Sequence, residues 1–417
     1  VHVTGLAASA CLGDRVGIPG AGPVDTGALG GEIVAVGRDT ALVLPDGRAD
    51  GIRLGGPVEL LGPATLSPDM SWIGRIIDPF GNALDGKPIF QGTTPRAFRA
   101  PPPPAAERRG LGPRLATGTT AFDTLLPLVR GQRIGLFAGS GVGKSSLLAK
   151  FARGVQADVV VIALIGERGR EVGEFVRHTL GNAGMARSVV VTATSDQPAL
   201  MRRRCAWAAM TVAEHFRDLG LQVLLLADSV TRFAEAHREI ALAAGEAASL
   251  RGFPPSMAYE IMSLAERAGP GADGSGGAHG GDITAVFTVL VAGSDMEEPV
   301  ADILRGVLDG HVVLDRAIAE RGRYPAIDLL RSVSRSLPAA ASGDENALIA
   351  DARRLLGAYD RSELMIKAGL YVSGADPLTD RAIAVWPALD AFLAEDAPDG
   401  VGQSFTMLSG ALEPSQA

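Results

Sequence analysis

Cysteine is scarce in this sequence, since the 417 residues include only Cys11 and Cys205. The two thiols lie far apart along the chain and do not have the spacing of metal ligands. Neither a disulfide framework nor a zinc site is therefore predicted. We expect a protein of a reducing compartment, the cytoplasm, that is stabilised by a buried apolar core.

Long hydrophobic runs are also missing. The longest, such as 159–165 and 223–227, are far shorter than the roughly 20 residues that a membrane helix needs. The chain does not open on the basic and then apolar residues of a signal peptide. The sequence predicts a soluble protein, and 417 residues are enough for two or three domains.

Positive charge is in deficit as well. The 39 Lys and Arg residues stand against 47 Asp and Glu residues, which gives a formal net charge of -8 at pH 7. This balance argues against a nucleic-acid partner or an anionic membrane surface. Aromatic residues make up only 5% of the chain, and the N-terminal part has no stacking cluster, so a hexameric RNA translocase is disfavoured too.

What the sequence does contain is a glycine-rich stretch that ends in a lysine and two hydroxyl residues. Backbone N–H groups of such glycines can approach a polyphosphate, Lys144 can reach its outer phosphates, and the Ser145 hydroxyl can bind Mg²⁺. Ala138 stands where the strict pattern has a glycine, and an ordinary Gly-rich turn is the alternative. The predicted nucleotide-binding residues of this loop are Gly139, Ser140, Gly141, Val142, Gly143, Lys144, Ser145 and Ser146.

The chain divides into three predicted parts. Residues 1–95 contain short strands separated by glycine and proline, which is typical of a small β-barrel or sandwich. Residues 96–345 begin with a proline-rich linker and then alternate near-continuous apolar strands with helices, which predicts an α/β domain with a parallel sheet. Residues 346–417 show helical spacing and predict a small C-terminal helical domain.

Two local patterns lead to predictions about the surface. The stretch 269–281 carries seven glycines among thirteen residues, so we expect a mobile loop in which His279 faces solvent. The basic triplet 202–204 could contact RNA, but in an acidic chain a solvated helix face is the favoured interpretation.

Three further features could complete a hydrolytic site. Asp228 ends an apolar strand and could hold the Mg²⁺ shell, or it could only cap the next helix. Glu167 also follows a strand and could activate water, although a plain surface acid fits the spacing equally well. The segment 323–335 offers arginines that could act across a subunit boundary, and Tyr324 could face adenine; a solvated arginine and a core tyrosine are the alternatives.

The combination resembles a known family over nearly the whole chain. Ala138 matches the form of the loop in the flagellar and virulence type III secretion ATPases, which are related to the catalytic subunits of rotary ATP synthases. The segments 228–233, 251–256 and 374–377 look like the flagellar members in particular. The segments that carry the wider resemblance are 135–146, 166–171, 224–233 and 311–335.

The resemblance implies a RecA-like ATPase that works as a homohexamer, with its sites at subunit interfaces, and that hydrolyses Mg-ATP to energise protein export. The implied roles are Lys144 on the β and γ phosphates, Ser145 and Asp228 on Mg²⁺, Glu167 as catalytic carboxylate, Arg168 as a supporting charge, Tyr324 on adenine, and Arg335 as a finger that reaches a neighbour's site.

The resemblance also implies partners and a location. We expect a stator-like regulator, export chaperones and membrane proteins of the export gate, with the ATPase in the cytoplasm at the inner membrane. Similar proteins carry a helical extension before the barrel, and this chain begins close to the predicted barrel. The alternatives are a virulence secretion ATPase, a catalytic subunit of an ATP synthase, and a non-catalytic subunit, which would lack the carboxylate of Glu167.

Overall fold

The structure is a computed structural model with an N-terminal antiparallel sheet, a central mostly parallel sheet and a C-terminal helical region. This architecture confirms the predicted α/β fold class. The structure describes residues 1–6, 9–21, 27–272, 280–291, 296–397 and 399–413.

The N-terminal sheet has five strands within the described ranges, in the order β1-β4-β3-β2-β5, and every pair is antiparallel. Alternate residues of the strands face one side, so that Val16, Ile33 and Val43 form a small core of their own. The strands are β1 (His2–Thr4), β2 (Asp14–Pro19), β3 (Ala28–Val36), β4 (Thr40–Pro45) and β5 (Glu59–Pro63).

The next stretch of chain leaves this sheet. Strands β6 (Thr65–Leu66) and β8 (Arg96–Ala97) pair with each other, and β7 (Ile76–Ile77) joins the edge of the central sheet. Trp72 and Ile77 are fully buried in an apolar core that the central domain provides. Residues 64–95, which the sequence pattern grouped with the N-terminal strands, therefore pack on the central domain, because their large apolar side chains find partners there.

The central sheet has the order β16-β15-β9-β14-β12-β10-β11-β7 in the described part of the chain, with β13 beside β14. Its pairs are parallel except for β15 with β16 and β13 with β14. The further strands are β9 (Arg133–Ala138), β10 (Val159–Glu167), β11 (Ser188–Thr194), β12 (Val223–Asp228), β13 (Gly269–Pro270), β14 (Asp282–Leu290), β15 (Gly310–Leu314) and β16 (Ile327–Ser334).

Two apolar cores cover the two faces of this sheet. Along β10, Val160 and Ile162 belong to one core, whereas Val159 and Val161 belong to the other, as the period of two requires. The helices are α1 (Thr120–Asp123), α2 (Lys144–Gly154), α3 (Gly169–Glu174), α4 (Gly181–Met185), α5 (Ala199–Asp218), α6 (Val230–Ala243), α7 (Ser256–Arg267), α8 (Pro299–Val307), α9 (Arg316–Glu320), α10 (Gly343–Lys367), α11 (Pro377–Phe392) and α12 (Val401–Ala411).

The C-terminal helices α10 to α12 pack on the same core as α2. Helix α10 begins with a capping box, in which the Ser342 hydroxyl accepts from the Glu345 N–H and the Glu345 carboxylate accepts from the Ser342 N–H. The rings of Tyr359 and Trp386 stack between α10 and α11 with centroids 4.0 Å apart. None of the helices in the described ranges is long and apolar enough to cross a membrane.

The glycine-rich stretch 269–281 lies partly outside the described residues, since 273–279, including His279, are not described. Its two ends are held in place. Gly269–Pro270 pairs with β14, and the Gly271 N–H donates to Asp282 at 3.2 Å. The first two residues of this stretch are thus part of the sheet.

Two arginines of the basic triplet contact the N-terminal sheet, so the prediction of a solvated helix face is wrong for them. Arg203 and Arg204 on α5 are only 3% and 1% exposed. Both contact the buried carboxylate of Glu32 in β3 at 2.7 Å, and Arg204 also lies 2.9 Å from Asp46. The charges are neutralised by the N-terminal sheet, which an average over the whole chain does not reveal.

We expect Arg204→Ala to lower the free energy of unfolding by about 3–5 kcal/mol, because it leaves the carboxylates of Glu32 and Asp46 buried without this partner. Urea denaturation measures the change. The matched control is Arg316→Ala, which removes an arginine from an exposed pair with Glu320 and should cost less than about 1 kcal/mol. If the two variants lose equal free energy of unfolding, the buried contacts of Arg204 with Glu32 and Asp46 do not stabilise the fold as expected.

Candidate active site

The predicted phosphate loop connects the end of β9 to the start of α2. Gly141 and Gly143 have φ of 78° and 86°, a region that glycine tolerates and other residues rarely adopt. No side chain caps α2 at Gly143, which leaves its first backbone N–H groups for an anion. Ala138 is fully buried at the end of β9, so the alanine belongs to the strand and leaves the anion-binding backbone intact.

Four adjacent strands deliver side chains to one point beyond this loop. The strand order β9-β14-β12-β10 brings Lys144, the first residue of α2 after β9, to Thr288, Asp228 and Glu167, which lie in the carboxyl-terminal halves of the other three strands. The Lys144 ammonium contacts Asp228 directly and lies 3.7 Å from Glu167 Oε1. Thr288 donates to Asp228 Oδ1 at 2.7 Å. The sequence predicted three of these residues but not Thr288, which lies in a mostly apolar strand.

Burial decides between the alternatives that were open for the two carboxylates. The side chain of Asp228 is only 4% exposed, and Ser229 provides the cap of α6 by accepting from the Arg232 N–H. Asp228 is therefore not a simple helix cap. The Glu167 side chain is 22% exposed and faces Lys144, so it is not a plain surface acid either.

The cluster holds two carboxylates, those of Asp228 and Glu167, beside the single ammonium of Lys144. Burial raises the pKa of Glu167 above its ordinary value, the negative charge of Asp228 raises it further, and Lys144 acts in the opposite direction. A glutamate with a raised pKa accepts a proton more readily near neutral pH than an ordinary surface glutamate. Glu167 thus has the environment of a general base.

Lys144 and Glu167 of this cluster line an open cleft of about 730 Å³, whereas Asp228 and Thr288 are buried beside them and do not line it. Arg168 is at the rim, where its exposed guanidinium lies 3.1 Å from Glu171. Val142 is the one predicted loop residue whose side chain turns away, into the apolar core. The predicted residues that line the cleft are Gly139, Ser140, Gly141, Gly143, Lys144, Ser145, Ser146, Glu167 and Arg168.

Several residues of this cleft were not predicted from the sequence. Arg232 and Glu235 form an ion pair of 2.8 Å on its wall, and Ser195, Thr231 and Glu298 line it as well. A signal for Arg232 was available, because a residue one turn into the helix that follows a strand lies near the carboxyl edge of the sheet.

Tyr324 lies beside the phosphate loop and not in a core. Its ring is 49% exposed, and a Cβ atom placed on Gly143 would be only 3.0 Å from it. Tyr324, Leu147 and Lys150 line a second cleft of about 350 Å³, which continues from the loop. An aromatic face at this position suits a planar base.

Arg335 lies at the other end of the same sheet, where the parallel strands β9 and β15 begin. Its N–H donates to the carbonyl of Asp309, whose carboxylate in turn contacts Arg133, the first residue of β9. The length of β9 places this point roughly 17 Å from the phosphate loop. Arg335 is exposed and donates to the carbonyl of Arg305 at 3.2 Å, so the structure does not bring it to the site of its own chain.

The donor set of the cleft fits Mg²⁺ bound together with a nucleotide. The Ser145 hydroxyl and the Asp228 carboxylate are hard oxygen ligands, and Mg²⁺ takes few such ligands from protein and completes its shell with phosphate and water. No group of three or more His, Cys, Asp or Glu residues in the described ranges could hold a metal ion by itself. The residues therefore suit an ion that arrives with a polyphosphate.

Comparison with known families gives an independent assignment. A model of the nucleotide-binding domain of the ATP synthase alpha/beta family matches residues 118–334, which are more than half of the chain. This chain belongs to the ATP synthase alpha/beta family. A second model, the C-terminal domain of the type III secretion ATPase EscN, matches residues 341–408. Together they confirm the resemblance to secretion ATPases that the sequence motifs indicated.

Individual relatives agree with this assignment. The flagellum-specific ATP synthase of Caulobacter vibrioides is 47% identical over 92% of this chain and 88% of that protein. The SPI-2 type 3 secretion system ATPase of Salmonella typhimurium is 44% identical over 89% of this chain and 84% of that protein. The assembled ATPase EscN of enteropathogenic E. coli superposes with a TM-score of 0.88 at 35% identity, covering 97% of this chain and 96% of that one.

In this family member we expect Glu167→Gln to slow ATP hydrolysis at least about a hundredfold without lowering the melting temperature at pH 8. The pKa of Glu167 is raised in the folded state, so the stability that its protonated form provides is lost as the pH rises through that pKa. Glutamine stays neutral and avoids this loss.

Steady-state hydrolysis and thermal melting at pH 5 and pH 8 measure both effects, and the stability advantage of the variant should shrink at pH 5. The matched control is Glu174→Gln, the same change at an exposed position on α3. A melting temperature that falls in parallel with activity would instead make Glu167 a structural residue.

Proposed function

We propose that this chain hydrolyses Mg-ATP as a homohexamer and energises protein export through the flagellar type III secretion apparatus. The observation that carries the proposal is the placement of Lys144, Glu167 and Asp228 at one edge of the sheet, with Arg335 at the other. One chain holds both halves of a phosphoryl-transfer site but cannot combine them itself. A ring of identical chains can.

The chemistry follows from the positions of the side chains. Backbone N–H groups of the loop and the Lys144 ammonium bind the β and γ phosphates, and Ser145 and Asp228 hold the Mg²⁺ shell. The metal, when bound, neutralises charge on the β and γ oxygens. Glu167 orients the attacking water and accepts its proton. Arg168 adds positive charge at the rim of the cleft.

The remaining charge on the transferred phosphoryl group is neutralised across the subunit boundary. Arg335 is exposed at the edge of its own chain, where a neighbour in a ring can receive it. An arginine finger supplied in trans raises turnover in related phosphoryl-transfer enzymes by about 10³–10⁵-fold. Tyr324 contacts the adenine ring beside the same loop.

The assignment to flagellar export is supported by relatives named flagellum-specific ATP synthase, among them that of Bacillus subtilis, at 43% identity over 91% of this chain and 85% of that protein. EscN has been solved in its assembled form and with its central stalk EscO, which supports a ring with a stalk partner. We place the chain in the cytoplasm, peripherally at the inner membrane, with a stator-like regulator, export chaperones and the export gate as partners.

Export through a virulence apparatus is the second candidate, because the SPI-2 ATPase is nearly as similar as the flagellar relatives. Deletion of the gene separates the two. We expect loss of swimming and of secreted filament protein, restored by the wild-type gene but not by Lys144→Ala. Intact swimming together with lost virulence secretion would contradict the flagellar assignment.

The composite site predicts complementation between inactive variants. Mixed in equal amounts, Lys144→Ala and Arg335→Ala chains should regain activity, because at random about a quarter of the interfaces combine an intact loop with an intact finger. Hydrolysis is measured across a series of mixing ratios.

The matched control mixes Lys144→Ala with Glu167→Gln. Both changes damage the half-site on the same chain, so no arrangement repairs an interface and activity should not return. Recovery in the control mixture, or none at any ratio in the test mixture, would contradict an arginine that acts in trans.

A further inference from the structure

Arg323 makes an unusual set of contacts in the turn between α9 and β16. Its side chain is only 9% exposed. Nη1 donates to the carbonyl of Pro325 at 3.3 Å, and Nη2 donates to the carbonyl of Ile327 at 2.8 Å. Nε lies 2.9 Å from a carboxylate oxygen of Asp390 in α11. One guanidinium therefore contacts two carbonyls of its own turn and a carboxylate of the C-terminal helices.

The two carbonyls that Arg323 binds follow Tyr324 in the chain. The guanidinium therefore connects the two ends of the turn that carries Tyr324. The ring of Tyr324 stands against Gly143 of the phosphate loop, on the wall of the second cleft. Opening the turn would release this ring, because Tyr324 is half exposed and has little packing of its own.

Lysine could not replace Arg323 in this arrangement. The planar guanidinium presents donors in several fixed directions, whereas an ammonium is a point charge on a flexible stem. Burial lowers the pKa of Arg323, and the carboxylate of Asp390 opposes that shift. Arg321 in the same turn pairs with Glu363 at 3.3 Å but is 46% exposed.

We propose that Arg323 is a positioning residue, which holds Tyr324 against the phosphate loop and makes the base-binding wall of the cleft depend on the C-terminal helices through Asp390. This inference rests on the proposed nucleotide site. Arg323 affects the binding of the base end of an adenine nucleotide. The phosphate end is bound by the phosphate loop and the residues around it.

The test compares ADP with pyrophosphate, which lacks the adenosine, by calorimetric titration of the full chain in the presence of Mg²⁺. Arg323→Ala should raise the Kd for ADP about three- to tenfold, the scale of one lost aromatic contact, and leave the Kd for pyrophosphate unchanged. Arg323→Lys should recover only part of the affinity. Arg321→Ala is the matched control and should change neither Kd.

Two more variants show whether Arg323 acts through Tyr324 and Asp390. Adding Arg323→Ala to Tyr324→Ala should weaken ADP binding little beyond the Tyr324 change alone, since residues that act as one unit are not additive. Asp390→Asn should raise the Kd for ADP by less than Arg323→Ala does, because the two carbonyl contacts remain.

Each other outcome overturns the proposal. Equal losses for ADP and pyrophosphate would make Arg323 a general structural residue, and additive effects would detach it from Tyr324. An unchanged Kd for Asp390→Asn would remove the link to the C-terminal helices. If the wild-type chain binds ADP no better than pyrophosphate, the adenine contact fails first, and the proposed function loses its nucleotide specificity with it.

Discussion

The contact between the Lys144 ammonium and the Asp228 carboxylate exists because β9 and β12 run parallel and end at the same edge of the sheet. Strand β14 lies between them and supplies Thr288, which holds Asp228 in place, and β10 on the other side supplies Glu167. The raised pKa of Glu167 depends in part on this shared edge, which brings the Asp228 carboxylate close to it. Arg335 directly follows β16, which runs antiparallel to β15, and it therefore lies at the opposite end of the sheet from Lys144.

The residues of the site lower the stability of the fold. Two carboxylates and one ammonium are crowded in a partly buried cluster, and the pKa of Glu167 rises as a result. Such an arrangement is less stable than an apolar one, and it persists because two apolar cores fix the strands on both faces of the sheet. Between the first two domains, in contrast, the buried arginines Arg203 and Arg204 are both paired with the Glu32 carboxylate.

Much of this was predictable from the sequence, for physical reasons that differ between elements. Near-continuous apolar runs identify strands buried on both faces, and the lysine after the glycines identifies an anion site, so the central sheet and Lys144 were found directly. The burial of Arg204 was not, because its partners lie more than 150 residues away and local charge patterns do not contain them. Glu167 and Asp228 were candidates from spacing, but their roles and those of Tyr324 and Arg335 came from family resemblance. Thr288 needed the strand order, which periodicity alone does not provide.

We propose that a complete site forms only between neighbouring chains. The most direct test is the rate of ATP hydrolysis per chain as a function of protein concentration, with oligomer size followed by sedimentation in the same samples. The account predicts that the rate per chain falls together with the oligomer on dilution and approaches the rate of Arg335→Ala. A rate per chain that stays constant while the oligomer dissociates into single chains would contradict it.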